Sequence, residues 1–138
     1  MRRISLPFAI AAATAGCGGT DTVGTGTLVA GTYRADQFLV TPTGQTPINV
    51  LDAGGSLTIT IEASGATSGS LYVPPSIGGV PFGVSMVGTA TITATTVQFT
   101  QSADTFVRDL TWTRSVNRLE VTDQTAGSAS YTISLLKQ

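Results

Sequence analysis

The side chains that enzymes use for acid, base or nucleophilic chemistry are scarce in this chain of 138 residues. It contains no histidine, so neither a Ser-His-Asp triad nor a histidine-based zinc site can be assembled. Paired carboxylates can hydrolyse glycosides, and Asp104, Asp109, Glu120 and Asp123 are the acids available for a pair. Ordinary surface acids account for them better, and the acids are too dispersed for a calcium site. We therefore predict a protein without catalytic residues, metal or cofactor.

Cys17 is the only cysteine, and it follows a short apolar segment that begins after two arginines. The segment, Ile4 to Ala15, is too short to span a bilayer, for which about 20 apolar residues are needed. The sequence Thr14-Ala15-Gly16-Cys17 resembles the lipoprotein box of bacterial signal peptides, with threonine in the usual leucine position. This resemblance implies that residues 1–16 are a signal peptide and that Cys17 is lipidated after cleavage.

An ordinary secretory signal, cleaved after Ala13 or Ala15, is the alternative, and it would leave Cys17 as a free thiol. Lipidation explains a single cysteine better, because an exposed thiol is a liability in an oxidising compartment. Gly18, rather than aspartate, follows the cysteine, which in sorted lipoproteins of double-membrane bacteria favours the outer membrane. We expect a lipid-anchored protein of the cell envelope, on the outer membrane facing the periplasm or on the cell surface.

Removal of the leader makes the chain mildly acidic, with five basic and eight acidic residues and a net charge of −3. The five cations are scattered, so no basic face exists for nucleic acid. Residues 17–30 comprise the lipidated cysteine and a flexible linker, because GGTDTVGTGT at 18–27 has no apolar face to bury. Residues 31–138 then form a single domain.

Apolar and polar residues alternate through this domain, as Leu57, Ile59 and Ile61 do with their neighbours, and this period of two predicts β-strands. Short connections such as Gly54-Gly55 favour antiparallel hairpins over parallel crossovers. We predict an all-β antiparallel meander that closes into an eight-stranded barrel, with a β-sandwich as the alternative. The eight predicted strands are 31–41, 56–63, 67–73, 85–94, 96–102, 106–114, 117–123 and 129–136.

The first predicted strand opens with Gly31-Thr32-Tyr33, which resembles the Gly-x-Trp of lipocalins and calycins. In those proteins the glycine allows close backbone approach and the aromatic ring plugs the closed end of the barrel. Tyr33 replaces the tryptophan, and Lys137 on the last strand stands where an arginine often crosses the ring. The resemblance implies a lipocalin-like barrel.

The alternation of side chains between the two faces of a strand predicts an irregularity in the first strand. Tyr33 and Ala35 lie on one face, whereas Phe38 and Val40 lie on the other. A bulge near Asp36-Gln37 would bring both pairs inside.

The same alternation of side chains along a strand places an arginine inside the barrel. Arg108 shares a face of the sixth predicted strand with Leu110 and Trp112, so it points inward if they do. A buried guanidinium needs an acidic partner. It would act as an anchor for a ligand carboxylate, or it would form an ion pair near the barrel mouth or return to solvent at a bulge. The candidate partners are Asp104, Glu120 and Asp123.

Residues 73–83, VPPSIGGVPFG, form an apolar loop whose prolines should keep it out of a sheet. It could cover the barrel, gate a cavity or contact a partner.

Two functions follow, because an eight-stranded barrel either holds one small ligand or is filled by side chains. One is a lipocalin-like lipoprotein that binds a small hydrophobic ligand; the other is a structural or protein-interaction lipoprotein with a packed barrel. The candidate ligand-binding residues are Tyr33, Tyr72, Phe82, Phe99, Phe106, Arg108, Trp112 and Tyr131.

Overall fold

The fold of the chain is all-β in the computed structural model, which describes residues 28–138. Two single-turn helices, α1 (Pro75–Gly78) and α2 (Phe106–Asp109), interrupt the connections between strands. No helix within the described residues is both long and apolar enough to cross a membrane. The strands are β1 (Gly31–Pro42), β2 (Ile48–Asn49), β3 (Ser56–Ile61), β4 (Ala66–Val73), β5 (Phe82–Ser85), β6 (Gly88–Ile92), β7 (Thr96–Gln101), β8 (Thr111–Arg114), β9 (Arg118–Ala126) and β10 (Ala129–Lys137).

Eight of these strands form a closed antiparallel barrel. Their order is β10-β9-β8-β7-β6-β4-β3-β1, and β1 pairs with β10 to close the sheet. The two remaining strands are additions, β2 against β1 and β5 against β4. The predicted eight-stranded meander is therefore confirmed, and the sandwich alternative is wrong. Closure removes the long free edges that an open sheet of eight strands would expose.

The predicted bulge in β1 is present. The pairing of β1 with β10 shifts register between Ala35 and Gln37, so Asp36 is the extra residue. Tyr33 before the bulge and Phe38 after it are both buried in the barrel, whereas Asp36 is exposed. The extra residue of the bulge thus lets the side chains before and after it both point into the barrel.

The predicted strand 106–114 is wrong in its first half. Residues Phe106–Asp109 form α2, and only Thr111–Arg114 pair as β8. A helical turn places residues three apart on one face, which lets Val107 and Leu110 both be buried. Arg108 consequently does not point into the barrel, and its side chain is 38% exposed.

The predicted strand 85–94 is divided, and the loop before it rejoins the sheet. Residues Phe82–Ser85 pair with β4 as β5, while β6 begins only at Gly88. The expectation that residues 73–83 stay outside the sheet is therefore wrong, since Val73 pairs with Phe82. Pro81 has no N–H to donate to a neighbouring strand, but the residues that follow it keep theirs and can pair with β4.

Eighteen apolar side chains of the described residues, each no more than 2% exposed, fill the barrel. Val29, which the sequence assigns to the linker, is one of them. The loops contribute others, because Val50, Met86 and Val107 are fully buried and lie in three different connections. Parts of these connections therefore belong to the core, and Met86 lies against β4, where its N–H donates to the carbonyl of Gly69 at 3.1 Å.

The two ends of the barrel differ in construction. The hairpin end consists of the short turns 62–65, 93–95 and 115–117, and it also holds Leu28 and Lys137. The loop end consists of the longer connections 43–55, 74–81 and 102–110 with the turn 127–128. The described chain thus begins at the hairpin end, opposite the loops.

Candidate functional site

A hollow of about 330 Å³ opens to solvent at the loop end. Three separate connections form it: β5 contributes Phe82, the segment around α2 contributes Asp104, Phe106 and Asp109, and the β9–β10 hairpin contributes residues 126–128 and Tyr131. Its volume is at the lower limit for small-molecule sites, which run from about 300 to 1,000 Å³. It is a surface hollow beside the barrel core rather than a channel along the barrel axis, since the core side chains lie beneath it.

Stacked aromatic rings form the apolar wall of this hollow. The rings of Phe106 and Tyr131 are 4.3 Å apart between centroids and nearly parallel, at 12°. Phe106 also contacts the buried ring of Phe38, 5.7 Å away. Helix α2 makes this stack possible, because its turn buries Val107 while leaving Phe106 beside β10. Such pairs contribute about 0.5–1.5 kcal/mol beyond the area they bury.

Side chains elsewhere in the barrel hold α2 in place. Trp112 Nε1 donates to the carbonyl of Val107 at 3.2 Å, and Gln98 Nε2 donates to the carbonyl of Arg108 at 2.7 Å. These bonds satisfy carbonyls that a single helical turn cannot pair internally. The position of the Phe106 ring therefore depends on a buried indole and on a glutamine that the sequence did not single out.

Charged groups at the rim of the hollow are arranged around Arg108. Its Nη2 lies 2.5 Å from Asp104 Oδ1, and its Nε lies 3.8 Å from Asp109 Oδ1. Asp104 is therefore the partner of Arg108, whereas Asp123 accepts a hydrogen bond from Ser130. The predicted interior anchor is instead an exposed ion pair beside the hollow. Asp104 precedes the arginine by four residues and Asp109 follows it directly. A sequence pattern of this kind indicates an ion pair only if the segment is known to form a helical turn.

Two polar groups of the wall are affected by burial. Burial raises the pKa of the Tyr131 phenol, and the negative charge of Asp109 adds to this effect. The phenol is thus protonated at neutral pH and can donate a hydrogen bond. Thr105 Oγ1 is buried beside the hollow and has no hydrogen-bond partner within residues 28–138.

The structure brings three of the predicted ligand-binding residues together at the hollow: Phe82, Phe106 and Tyr131. Phe99 and Trp112 instead pack edge to face in the core, 5.8 Å apart. Tyr72 lies on β4 with its side chain partly exposed beside Gly83.

Tyr33 plugs the hairpin end. Its hydroxyl donates to the carbonyl of Val29 at 2.7 Å, and Lys137 Nζ lies 5.9 Å from its ring centroid. Gly31 makes room for this lysine, because a Cβ at position 31 would lie 2.4 Å from Lys137 Cε. Burial raises the pKa of the Tyr33 phenol, although the charge of Arg114 lowers it in part.

Cys17 and the predicted signal peptide lie outside the described residues. Within residues 28–138, no group of three or more histidine, cysteine or carboxylate side chains is placed to hold a metal ion. No protein-family model, curated protein or solved structure matches this chain.

Proposed function

We propose that this chain is a lipid-anchored protein of the cell envelope that binds a small, largely apolar ligand in the loop-end hollow. The single observation that carries this proposal is the meeting of Phe82, Phe106 and Tyr131 around one open hollow. These residues come from β5, α2 and β10, and each is among the candidate ligand-binding residues of the sequence.

The filled interior supports a ligand at the end of the barrel rather than inside it. Tyr33, Phe99 and Trp112 are each no more than 1% exposed, and their partners are other core residues. An interior ligand would have to displace these side chains, which pack at the density of an organic solid. Phe82, in contrast, is 41% exposed and can cover an incoming ring without repacking the core.

The polar groups around the hollow would orient such a ligand. The protonated Tyr131 hydroxyl can donate a hydrogen bond, while Asp104 and Asp109 are negatively charged and disfavour anions. We therefore expect neutral or cationic aromatic molecules to bind more tightly than anionic ones of the same size.

The proposal of a lipid anchor is based on the predicted signal peptide, and it is consistent with the end of the barrel at which the described chain begins. Residues 18–27 separate Cys17 from Leu28, and the flexible linker predicted for these ten residues would span roughly 15–20 Å. Leu28 lies at the hairpin end. A lipid on Cys17 would thus hold the hairpin end near the membrane and leave the loop end accessible.

A structural or protein-interaction role is the second candidate, and a specific surface favours it. The segment from Tyr72 to Phe82 exposes three large apolar side chains, Tyr72, Val80 and Phe82, at the loop end. Exposed apolar groups that lie close together are typical of contact surfaces. A packed barrel that presents this segment to another envelope component would need no small ligand.

A fluorogenic probe distinguishes the two functions. We expect 1-aminoanthracene, a neutral aromatic molecule, to bind the Cys17→Ser chain, and Phe82→Ser to weaken that binding about tenfold through lost apolar contact. Val80→Ser is the matched control, because Val80 is 68% exposed and lies outside the hollow. Absence of binding, or equal weakening by both substitutions, would contradict the ligand site and favour the interaction role.

A further inference from the structure

We propose that the hairpin end of the barrel docks on an anionic phospholipid surface, with Arg114 and Lys137 contacting the lipid phosphates. This inference concerns a second site, at the opposite end from the ligand hollow, and it holds whether or not a ligand binds there. It assigns the protein an orientation on the membrane in addition to an anchor.

The docking surface surrounds a second hollow, of about 500 Å³. The side chains that matter are Leu28, Arg114, Val116 and Lys137, which come from the start of the described chain, β8, the β8–β9 turn and β10. Residues distant in sequence thus place two cations and two aliphatic groups around one opening. This combination suits a phosphate layer that overlies acyl chains.

The two cations lack acidic partners within the described part of the chain. Two other arginines do contact carboxylates, since Arg108 pairs with Asp104 and Arg118 pairs with Asp36. Arg114 Nε instead donates to the carbonyls of Thr93 and Ala94, both at 2.9 Å. A carbonyl oxygen orients a guanidinium but does not neutralise it, and Arg114 retains other N–H groups for an anion.

Lys137 is held in the same way. Its Nζ donates to the Leu28 carbonyl at 3.3 Å and lies over the Tyr33 ring at 5.9 Å. An ammonium has three donors, so this arrangement leaves at least one for a phosphate oxygen. Both cations are therefore positioned at the rim by neutral partners rather than by a carboxylate.

The aliphatic groups beside these cations are unusually exposed. Val116 is 92% exposed at the tip of its turn, and Leu28 is 68% exposed. Neither packs into the barrel core, so both are available to enter the boundary between headgroups and acyl chains.

The charge distribution favours this orientation. The hairpin end carries Arg114 and Lys137 against one carboxylate, Glu62, whereas the loop end carries three carboxylates, Asp52, Asp104 and Asp109, against the single cation Arg108. An anionic membrane repels that end and attracts the hairpin end. The chain also approaches the barrel at the hairpin end, since Leu28 follows directly from residues 18–27. The predicted linker with its lipid on Cys17 would raise the local concentration of phospholipid around the barrel. A contact of only two cations would then suffice to orient the barrel on the membrane.

Vesicle binding by the unlipidated chain tests this surface. The Cys17→Ser chain should partition more strongly onto phosphatidylglycerol vesicles than onto phosphatidylcholine vesicles at low salt. The double variant Arg114→Gln/Lys137→Gln should weaken binding roughly 25-fold, about fivefold for each cation. Arg108→Gln removes one cation at the loop end and should weaken binding much less than either Arg114→Gln or Lys137→Gln. Equal loss in these three single variants, or equal partition onto both lipids, would overturn the proposal.

A fluorescent label reports the orientation without removing a charge. In the Cys17→Ser chain, an environment-sensitive dye attached through Val116→Cys should shift to the blue on phosphatidylglycerol vesicles. The same dye attached through Ser128→Cys, in the turn at the loop end, should not shift. A shift at Ser128 alone, at both positions or at neither would overturn the proposed docking surface.

Discussion

Gly69 marks a point where two strands of the barrel lie too close for a side chain. It pairs with Ile59 across the β3–β4 ladder and has a φ of +127°. A Cβ at this position would lie 2.1 Å from the backbone oxygen of Thr58. Backbone atoms of a paired strand cannot yield as a flexible side chain can, so any substitution here must distort the sheet.

We predict that Gly69→Ala lowers the free energy of unfolding by more than about 2 kcal/mol, because it combines an unfavourable φ with a backbone clash. Gly127→Ala is the matched control. Gly127 has a φ of +61° but meets nothing within 4 Å of an added Cβ. Its substitution should cost only about 1 kcal/mol, the penalty for a left-handed alanine. Urea denaturation of both variants measures the difference, and equal effects would contradict this explanation.

Individual site residues were predictable where strand parity applied. Phe99 and Trp112 alternate with polar neighbours, so their inward direction followed from the sequence, and both are buried. Arg108 was misplaced because α2 spans only four residues, too few to show a helical period. Its ion pair with Asp104 is nevertheless the alternative that the sequence offered, a pair near the barrel mouth, although Arg108 is not buried.

At the scale of elements, the bulge in β1 serves both packing and electrostatics. It carries Asp36 to the outside, where Asp36 Oδ2 lies 2.7 Å from Arg118 Nη1 on β9. Burial acts to raise the pKa of the Asp36 carboxyl, but hydrogen bonds from Arg118 and Ser134 and the charge of Arg118 outweigh it. The pKa is held below its ordinary value, so the folded protein favours the ionised carboxylate.

This ion pair predicts a pH-dependent contribution to stability. A carboxyl whose pKa is lowered in the folded state stabilises the fold above the unfolded pKa of about 3.9, and this stabilisation is lost as pH falls through the folded value. Asp36→Asn should lower the free energy of unfolding by about 0.5 kcal/mol at pH 7, a modest figure because the aspartate is 38% exposed. The difference from wild type should shrink below about pH 4.

Thermal unfolding measured from pH 7 down to pH 2.5 tests this prediction. Glu62→Gln is the control, because Glu62 is exposed and forms no ion pair with any described residue. A constant difference between Asp36→Asn and wild type across this range would show that the carboxylate charge has no part in the effect.

The elements themselves were predicted best where they are long and regular. β1, β7 and β10 lie within a residue or two of the predicted bounds. β5 was not predicted, because the prolines at 74, 75 and 81 indicate a segment that stays out of the sheet, although Phe82 and Val84 alternate with Gly83 and Ser85. Its pairing with β4 depends on the position of α1 and on the burial of Met86, which are properties of the folded chain.

At the scale of the whole molecule, closure of the barrel followed from the sequence. Eight short strands with tight turns have few other ways to hide their edges. The location of the candidate site did not follow, because a sequence does not show whether inward side chains fill the available volume. Here they do, and the aromatic residues divide between a packed core and the hollow at the loop end.

The two ends of the molecule thus suit different surroundings. Cations and aliphatic groups surround the hairpin end, while carboxylates and aromatic rings surround the loop end. A lipid on Cys17 would give this asymmetry a direction, with the hairpin end toward the membrane and the ligand hollow away from it. The anchor is therefore the claim on which the arrangement as a whole depends.

Metabolic labelling with an alkyne-bearing fatty acid in a bacterial host tests that anchor most directly. We predict that the wild-type chain takes up the label and sediments with the membrane fraction, because Cys17 supplies the thiol that is lipidated. The Cys17→Ser chain should carry no label, and a wash at high salt, which screens its contact with lipid phosphates, should release it into the soluble fraction. Equal labelling of the two chains, or an unlabelled wild type cleaved after Ala13 or Ala15, would contradict the account.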